Sequence, residues 1–271
     1  MAAVSKVPIV RSASQCAGAK GLLGRARLLA AIGVVSFACA ATAHCADGGT
    51  GATDAARPLV EQAEEMLSRG RFAGACELLT QAVAVCPSWL RPRGLLGVAL
   101  QGLGDDDGAR AHYAAFQRGT LSGPSEAVGK VATLSAELLW LINDARRHAG
   151  LALLKPHAGV ALVALRHSEE MRDLGYFSHD SPTAGQVTPL DRFVRVFGFR
   201  PALIAENIAM RKSTGCALTV ENIRASHQDL MNSPGHRANI LRAGITDLGV
   251  GLAAAGDSAY WITEVFVRFS W

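Results

Sequence analysis

The chain has 271 residues, 49% of them hydrophobic and 18% charged, with 28 Gly, 10 Pro and 6 Cys. This composition excludes a disordered chain, a collagen-like repeat and a disulfide-dense miniprotein, and it leaves room for one large domain or two small ones. The formal charge of +4 comes from 27 basic against 23 acidic residues, but Lys6, Arg11, Lys20, Arg25 and Arg27 all precede the first acid, Asp47. Without that lead the balance is 22 to 23, or −1, which argues against nucleic acid as a partner, because polyanion binding needs a surplus of Lys and Arg.

Residues 1–46 read as an export signal. Arg25 and Arg27 lead into Leu28–Ala43, sixteen uncharged residues ending in the small-x-small triplet Ala41-Thr42-Ala43, the pattern of a signal peptidase site. The run is short and Ala-rich for a membrane span, which needs roughly 20 apolar residues. An uncleaved anchor and a lipid on Cys39 or Cys45 are the alternatives, and a periplasmic or secreted protein is the expectation. Export permits disulfides. Yet Cys76 and Cys86 are ten residues apart, and if the stretch between them is helical they stand roughly 15 Å apart, beyond bridging distance. Together with Cys216 they are expected as small buried hydrophobes.

Residues 54–118 carry a repeat. Gly70, Ala75 and Leu79 recur as Gly104, Ala109 and Tyr113, an offset of 34, and Pro87 closes the first unit. This period and pattern resemble a tetratricopeptide repeat, in which the glycines allow the turn between paired helices and the alanines allow close approach. Such units normally need about three copies to bury a core, so two are expected to lean on the C-terminal domain. A plain pair of helical hairpins is the simpler alternative. Residues 119–134, poor in large apolar side chains and punctuated by Gly123-Pro124, are the expected linker.

From residue 135 to 271 the pattern is mixed. Ala136–His148 and Val160–Leu174 have helical spacing, whereas Leu248–Leu252 and Tyr260–Phe269 alternate with period two around a connection at Ala254–Ser258;. The last strand is apolar on both faces, so helices must cover both. Thr188-Pro189 and Ser233-Pro234 are expected helix starts, each a hydroxyl N-cap followed by proline, and Ala243-Gly244 is the expected end of the second helix. His236, in that second first turn, faces the positive end of the helix dipole and is biased towards the neutral form that binds a metal or accepts a proton.

A set of motifs then follows in order: Asn143-Asp144-Ala145-Arg146, His167-Ser168-Glu169-Glu170-Met171, Phe177-Ser178-His179, Ala205-Glu206-Asn207-Ile208-Ala209, Ser233 through Leu241 (SPGHRANIL), Leu248-Gly249-Val250-Gly251 and Tyr260-Trp261. Over residues 136–269 the chain resembles the cysteine-poor bacterial branch of the CAP superfamily, the cysteine-rich secretory, antigen 5 and pathogenesis-related proteins. The resemblance implies an α+β fold, an α-β-α sandwich with an open cleft, here preceded by an all-α repeat domain. It also implies a site built from His179, Glu206 and His236. Two imidazoles and a carboxylate can coordinate Zn²⁺ or another divalent cation and leave a position for water; the same trio without metal can be a polar cluster that shapes the cleft. A second glutamate found in many eukaryotic members is absent from Arg224–Leu230, with Asp229, Glu221 or Glu264 as substitutes. Leu230 stands where bacterial members usually show Trp, and Glu264 where they often show Gln. His167 is expected to pack behind the site, His148 and His157 to be solvated, and His227 is left open.

Three functions fit. One is an extracytoplasmic binding module whose cleft takes a metal, a small amphipathic or lipid ligand or a protein, with the repeat docking another protein. Another is a peptidase or esterase using metal-bound water or Glu206 as general base, although no G-x-S-x-G or HExxH motif is present;. The third is a scaffold.

Overall fold

The structure, a computed structural model, describes residues 51–121 and 125–270; the expected export signal lies outside the described residues. Four helices come first: α1 (Gly51–Ser68), α2 (Phe72–Val85), α3 (Leu90–Leu103) and α4 (Asp106–Thr120). They form two helical hairpins whose turns hold Gly70 and Gly104 at φ +68° and +84°, left-handed values that a Cβ disfavours. Ala75 and Ala109, at equivalent places in the two hairpins, are fully buried. Cys76, Cys86 and Cys216 are free, with Cys76 only half-buried.

The hairpins do not complete a core alone. Val98, Ala109, Tyr113 and Ala114 share one hydrophobic cluster with Leu138, Leu139 and Ile142 of α5 (Ser125–His148). Polar groups join the same interface. Buried Tyr113 donates its hydroxyl to Gln101 Oε1 at 2.9 Å and accepts from Asn143 Nδ2 at 3.2 Å, and Asn143 also exchanges hydrogen bonds with the backbone of Leu154. Arg110 stacks 3.7 Å from the Trp140 ring centroid and bonds Glu137, which also takes Arg224.

The stretch expected as a linker, residues 119–134, is helical over most of its described residues. Residues 119–120 close α4, and residues 125–134 are the first turns of α5. Val131, Ala132 and Leu134 turn inwards, and this small apolar stripe is enough to continue the helix that reads so clearly from Ala136.

The remaining elements are β1 (Lys155–Pro156), α6 (Ala158–Leu174), α7 (Pro189–Phe197), β2 (Leu203–Lys212), α8 (Val220–Asn232), α9 (Pro234–Ile240), β3 (Asp247–Ala255) and β4 (Ala259–Arg268). The sheet order is β1-β3-β4-β2, with β1 parallel to β3 and the other pairs antiparallel. On one face Val265, Val267 and Phe269 pack with Val160, Val163 and Phe193 of α6 and α7. On the other, Tyr260, Ile262 and Phe266 join the cluster of α5, α8 and α9. The result is the expected α-β-α sandwich. Gly249 and Gly251 are required by the contact of β3 with α6: a Cβ at either would lie 2.2 Å from α6 backbone. The β3–β4 hairpin is tighter than expected, because pairing runs through Ala255↔Ala259.

Two helix termini differ from their sequence signals. Thr188 forms a full capping box with Asp191, but Ser233 makes no side-chain cap; it is at once the C-cap of α8 and the N-cap of α9, so its geometry serves two helices. Helix α9 ends at Ile240, before Ala243-Gly244, where buried Arg146 takes the last helical carbonyl and one just beyond it: Nη1 donates to Ile240 O and Arg242 O. His148 is exposed as expected. His157 is half-buried rather than fully solvated; it precedes α6 with its ring against Phe197 and Phe269.

Candidate functional site

The edge strand β2 organises the site. Because side chains alternate along a strand, Glu206, opposite Val265, faces α6, while Asn207, opposite Glu264, faces α8 and α9. His179 comes from the loop between α6 and α7, and its Nδ1–H donates to Glu206 Oε1 at 2.9 Å. On the other face Asn207 Nδ2 donates to His236 O at 3.1 Å and to Glu264 Oε2 at 3.0 Å, while Asn239 Nδ2 donates to Asn207 Oδ1. The two networks bring both half-buried histidines to the same strand, His179 through its ring and His236 through its backbone.

Glu206 is buried and carries more than one partner. Arg192 of α7, also buried, places Nη2 at 2.8 Å from Oε2 and 3.0 Å from Oε1, and at 3.0 Å from His179 O. Burial alone would raise the carboxyl pKa, but the His179 hydrogen bond and the Arg192 charge outweigh it and hold Glu206 ionised below its ordinary value;. His236 is lowered, first by burial and then by His179. It is therefore neutral near pH 7, with a lone pair to offer. Neither Nε2 of His179 nor either ring nitrogen of His236 is hydrogen-bonded to protein among the described residues.

Of the trio expected from sequence, His179 and Glu206 are hydrogen-bonded, whereas His236 joins the same strand through its backbone carbonyl. Glu206 is committed to Arg192 and His179, and among the described residues no group of three or more His, Cys, Asp or Glu side chains is arranged to hold a metal ion. His167 is fully buried behind Glu206, with Nε2–H donating to Ser178 O at 3.1 Å, and burial lowers its pKa. His227 is buried in α8 and pushed down to about 4 by burial. Of the substitute acids, Asp229 pairs with Arg211 at the surface and Glu221 is exposed. Glu264 is fully buried, and burial raises it to about 7.

Sequence reasoning passed over Arg192 and Glu170. The signal for Arg192 was its place immediately after the Thr188–Asp191 capping box, since helical side chains lean towards the N-terminus and so over the preceding loop. Glu170 lies three residues after His167 on α6, within reach of the same face.

Comparison gives the layered domain with its histidine-bearing strand edge a family. The sequence model of the cysteine-rich secretory protein family, CAP, matches residues 139–267; this half of the chain is a CAP domain. Two Bacillus subtilis (strain 168) proteins are similar: uncharacterized protein YkwD, 34% identical over 138 residues, or 51% of this chain and 48% of that protein, and uncharacterized membrane protein YlbC, 34% identical over 162 residues, or 58% and 42%. The chain thus spans less than half the length of these relatives. Among solved structures, an extracellular protein containing a SCP domain from Bacillus anthracis str. Ames is 35% identical with a TM-score of 0.43, covering 54% of this chain and 45% of that one.

Proposed function

We propose that this is an exported CAP-domain binding protein whose cleft takes a divalent cation such as Zn²⁺ through His179 and His236, with Glu206 orienting His179 rather than ligating. The observation that carries the reading is the buried Arg192–Glu206–His179 chain. A metal-binding histidine commonly gives its other ring N–H to a carboxylate, which fixes the tautomer and makes the ligating nitrogen more basic. His179 has that arrangement, and His236 supplies a second neutral imidazole. Two imidazoles leave the rest of the coordination sphere to water or to a group brought by a ligand. Export rests on the basic lead and the uncharged run before Ala43. Because α3 and α4 are packed against α5, α1 and α2 offer the helical surface left for a protein partner.

Calorimetric titration of the full chain with Zn²⁺ tests this. Stoichiometric binding by the wild type, lost in a folded His179→Ala/His236→Ala variant, is expected. Equal heats for both proteins would overturn the reading.

A further inference from the structure

The loop that carries His179 is held by a carboxylate outside the cleft trio. Glu170 of α6, with 12% of its side chain exposed, accepts four hydrogen bonds: from Tyr176 Oη at 2.6 Å, Ser181 Oγ at 2.8 Å, Thr183 Oγ1 at 2.6 Å and Gln186 Nε2 at 2.8 Å. The donors lie on both sides of His179 in sequence. One carboxylate therefore closes residues 176–186 into a clasp with the histidine inside it.

The rest of the loop is tied down around that centre. Ser181 N donates to Val187 O at 2.8 Å, Arg192 Nη1 donates to Val187 O at 2.9 Å, and His167 Nε2 donates to the carbonyl immediately before His179. Burial opposes the charge on Glu170, but the four donors pull its pKa down to about 2, so it is an acceptor across the physiological range. Hydrogen bonds to an ionised acceptor are roughly twice as strong as neutral ones. A loop lacking regular secondary structure has few other means of holding one ring to a fixed position.

We infer that Glu170 is a positioning residue for the cleft: by clasping residues 176–186 it sets the His179 imidazole against Glu206 and so tunes cation affinity without touching the cation. The inference rests on the cation-binding reading above. Removing an outer-shell partner of a metal ligand typically weakens metal binding roughly 10- to 100-fold, and the clasp acts one step further out, through the loop.

The test uses the full chain as wild type, Glu170→Ala and Thr183→Val, the last removing a single donor at an exposed position. Each is checked for folding by circular dichroism, titrated with Zn²⁺, and examined for the His179 ring by ¹⁵N NMR without metal. The expected result is Zn²⁺ affinity about 10-fold weaker in Glu170→Ala and weakened less in Thr183→Val. The His179 Nδ1–H resonance is expected to shift or broaden in the same order while the fold is kept. Wild-type affinity together with an unchanged His179 spectrum in both variants would overturn the inference. If the wild type binds no Zn²⁺, the cation reading fails, and the ¹⁵N spectra alone decide whether Glu170 positions His179. If Glu170→Ala does not fold, Thr183→Val decides by the same two readouts.

Discussion

Glutamine in place of Glu264 is expected to make the protein more resistant to unfolding at alkaline pH, by an amount fixed by the burial of this one carboxyl. Glu264 sits mid-strand in β4, fully buried, with Oε2 accepting from Asn207 Nδ2 and Oε1 without a hydrogen-bond partner among the described residues. Burial raises its pKa from 4.5 to about 7, and the Asn207 bond offsets this only in part. Since the folded pKa is the higher one, the folded state holds a proton that the unfolded state has released. The stabilising contribution is complete below pH 4.5 and is lost as pH rises through 7. At about 1.4 kcal/mol for each pH unit between the two values, the loss by pH 8.5 is about 3 kcal/mol. Glutamine is close to isosteric and does not titrate, so the stability difference between Glu264→Gln and wild type should grow by about 3 kcal/mol from pH 4 to pH 8.5. Urea unfolding at several pH values measures it, with all other titrating groups common to both proteins. A difference that stays constant over that range would refute the reasoning.

Other perturbations reach different layers of the structure. Arg192→Met leaves Glu206 buried without its guanidinium and is expected to cost about 3–5 kcal/mol in urea unfolding and to weaken Zn²⁺ binding; wild-type stability would contradict the pairing. Gly251→Ala drives a Cβ to within 2.2 Å of α6 backbone, so a loss of about 3 kcal/mol or more is expected, and a loss below 1 kcal/mol (an order-of-magnitude limit) would mean that the helix and strand can separate cheaply. Tyr113→Phe removes the hydroxyl shared by Gln101 and Asn143 across the junction of the helical hairpins with α5. It should lower stability by about 1–3 kcal/mol, and a single cooperative unfolding transition should persist in the variant, as the shared core requires.

Much of the fold was legible because its signals are local. The period-two strands, the Thr188-Pro189 helix start and the glycine-marked hairpin turns are written in consecutive residues, and each is present in the structure. The signals that failed were those shared between elements. Ser233 carries an N-cap sequence but closes one helix while opening the next, and the early end of α9 is bonded by Arg146, 94 residues away from Ile240. The weakly apolar stretch at 125–134 reads as linker because its burial depends on packing partners elsewhere in the chain.

The site shows the same division. Motif resemblance brought His179, Glu206 and His236 together, although their spacing does not. What sequence left open was the state of Glu206, because the choice between ligand and orienting carboxylate depends on where the Arg192 guanidinium lies. That guanidinium reaches back over the first turn of α7 to meet a strand 14 residues later. Glu170 was hidden for a related reason: its four partners are ordinary loop residues whose common acceptor appears only when the loop folds over α6.

X-ray absorption at the zinc edge of the Zn²⁺-loaded full chain tests the central claim most directly. The account predicts scattering from two imidazole rings, with oxygen donors filling the remaining positions, and loss of the imidazole signal in the His179→Ala/His236→Ala variant. Zinc bound without imidazole scattering, or with an imidazole signal that survives the double substitution, would contradict it.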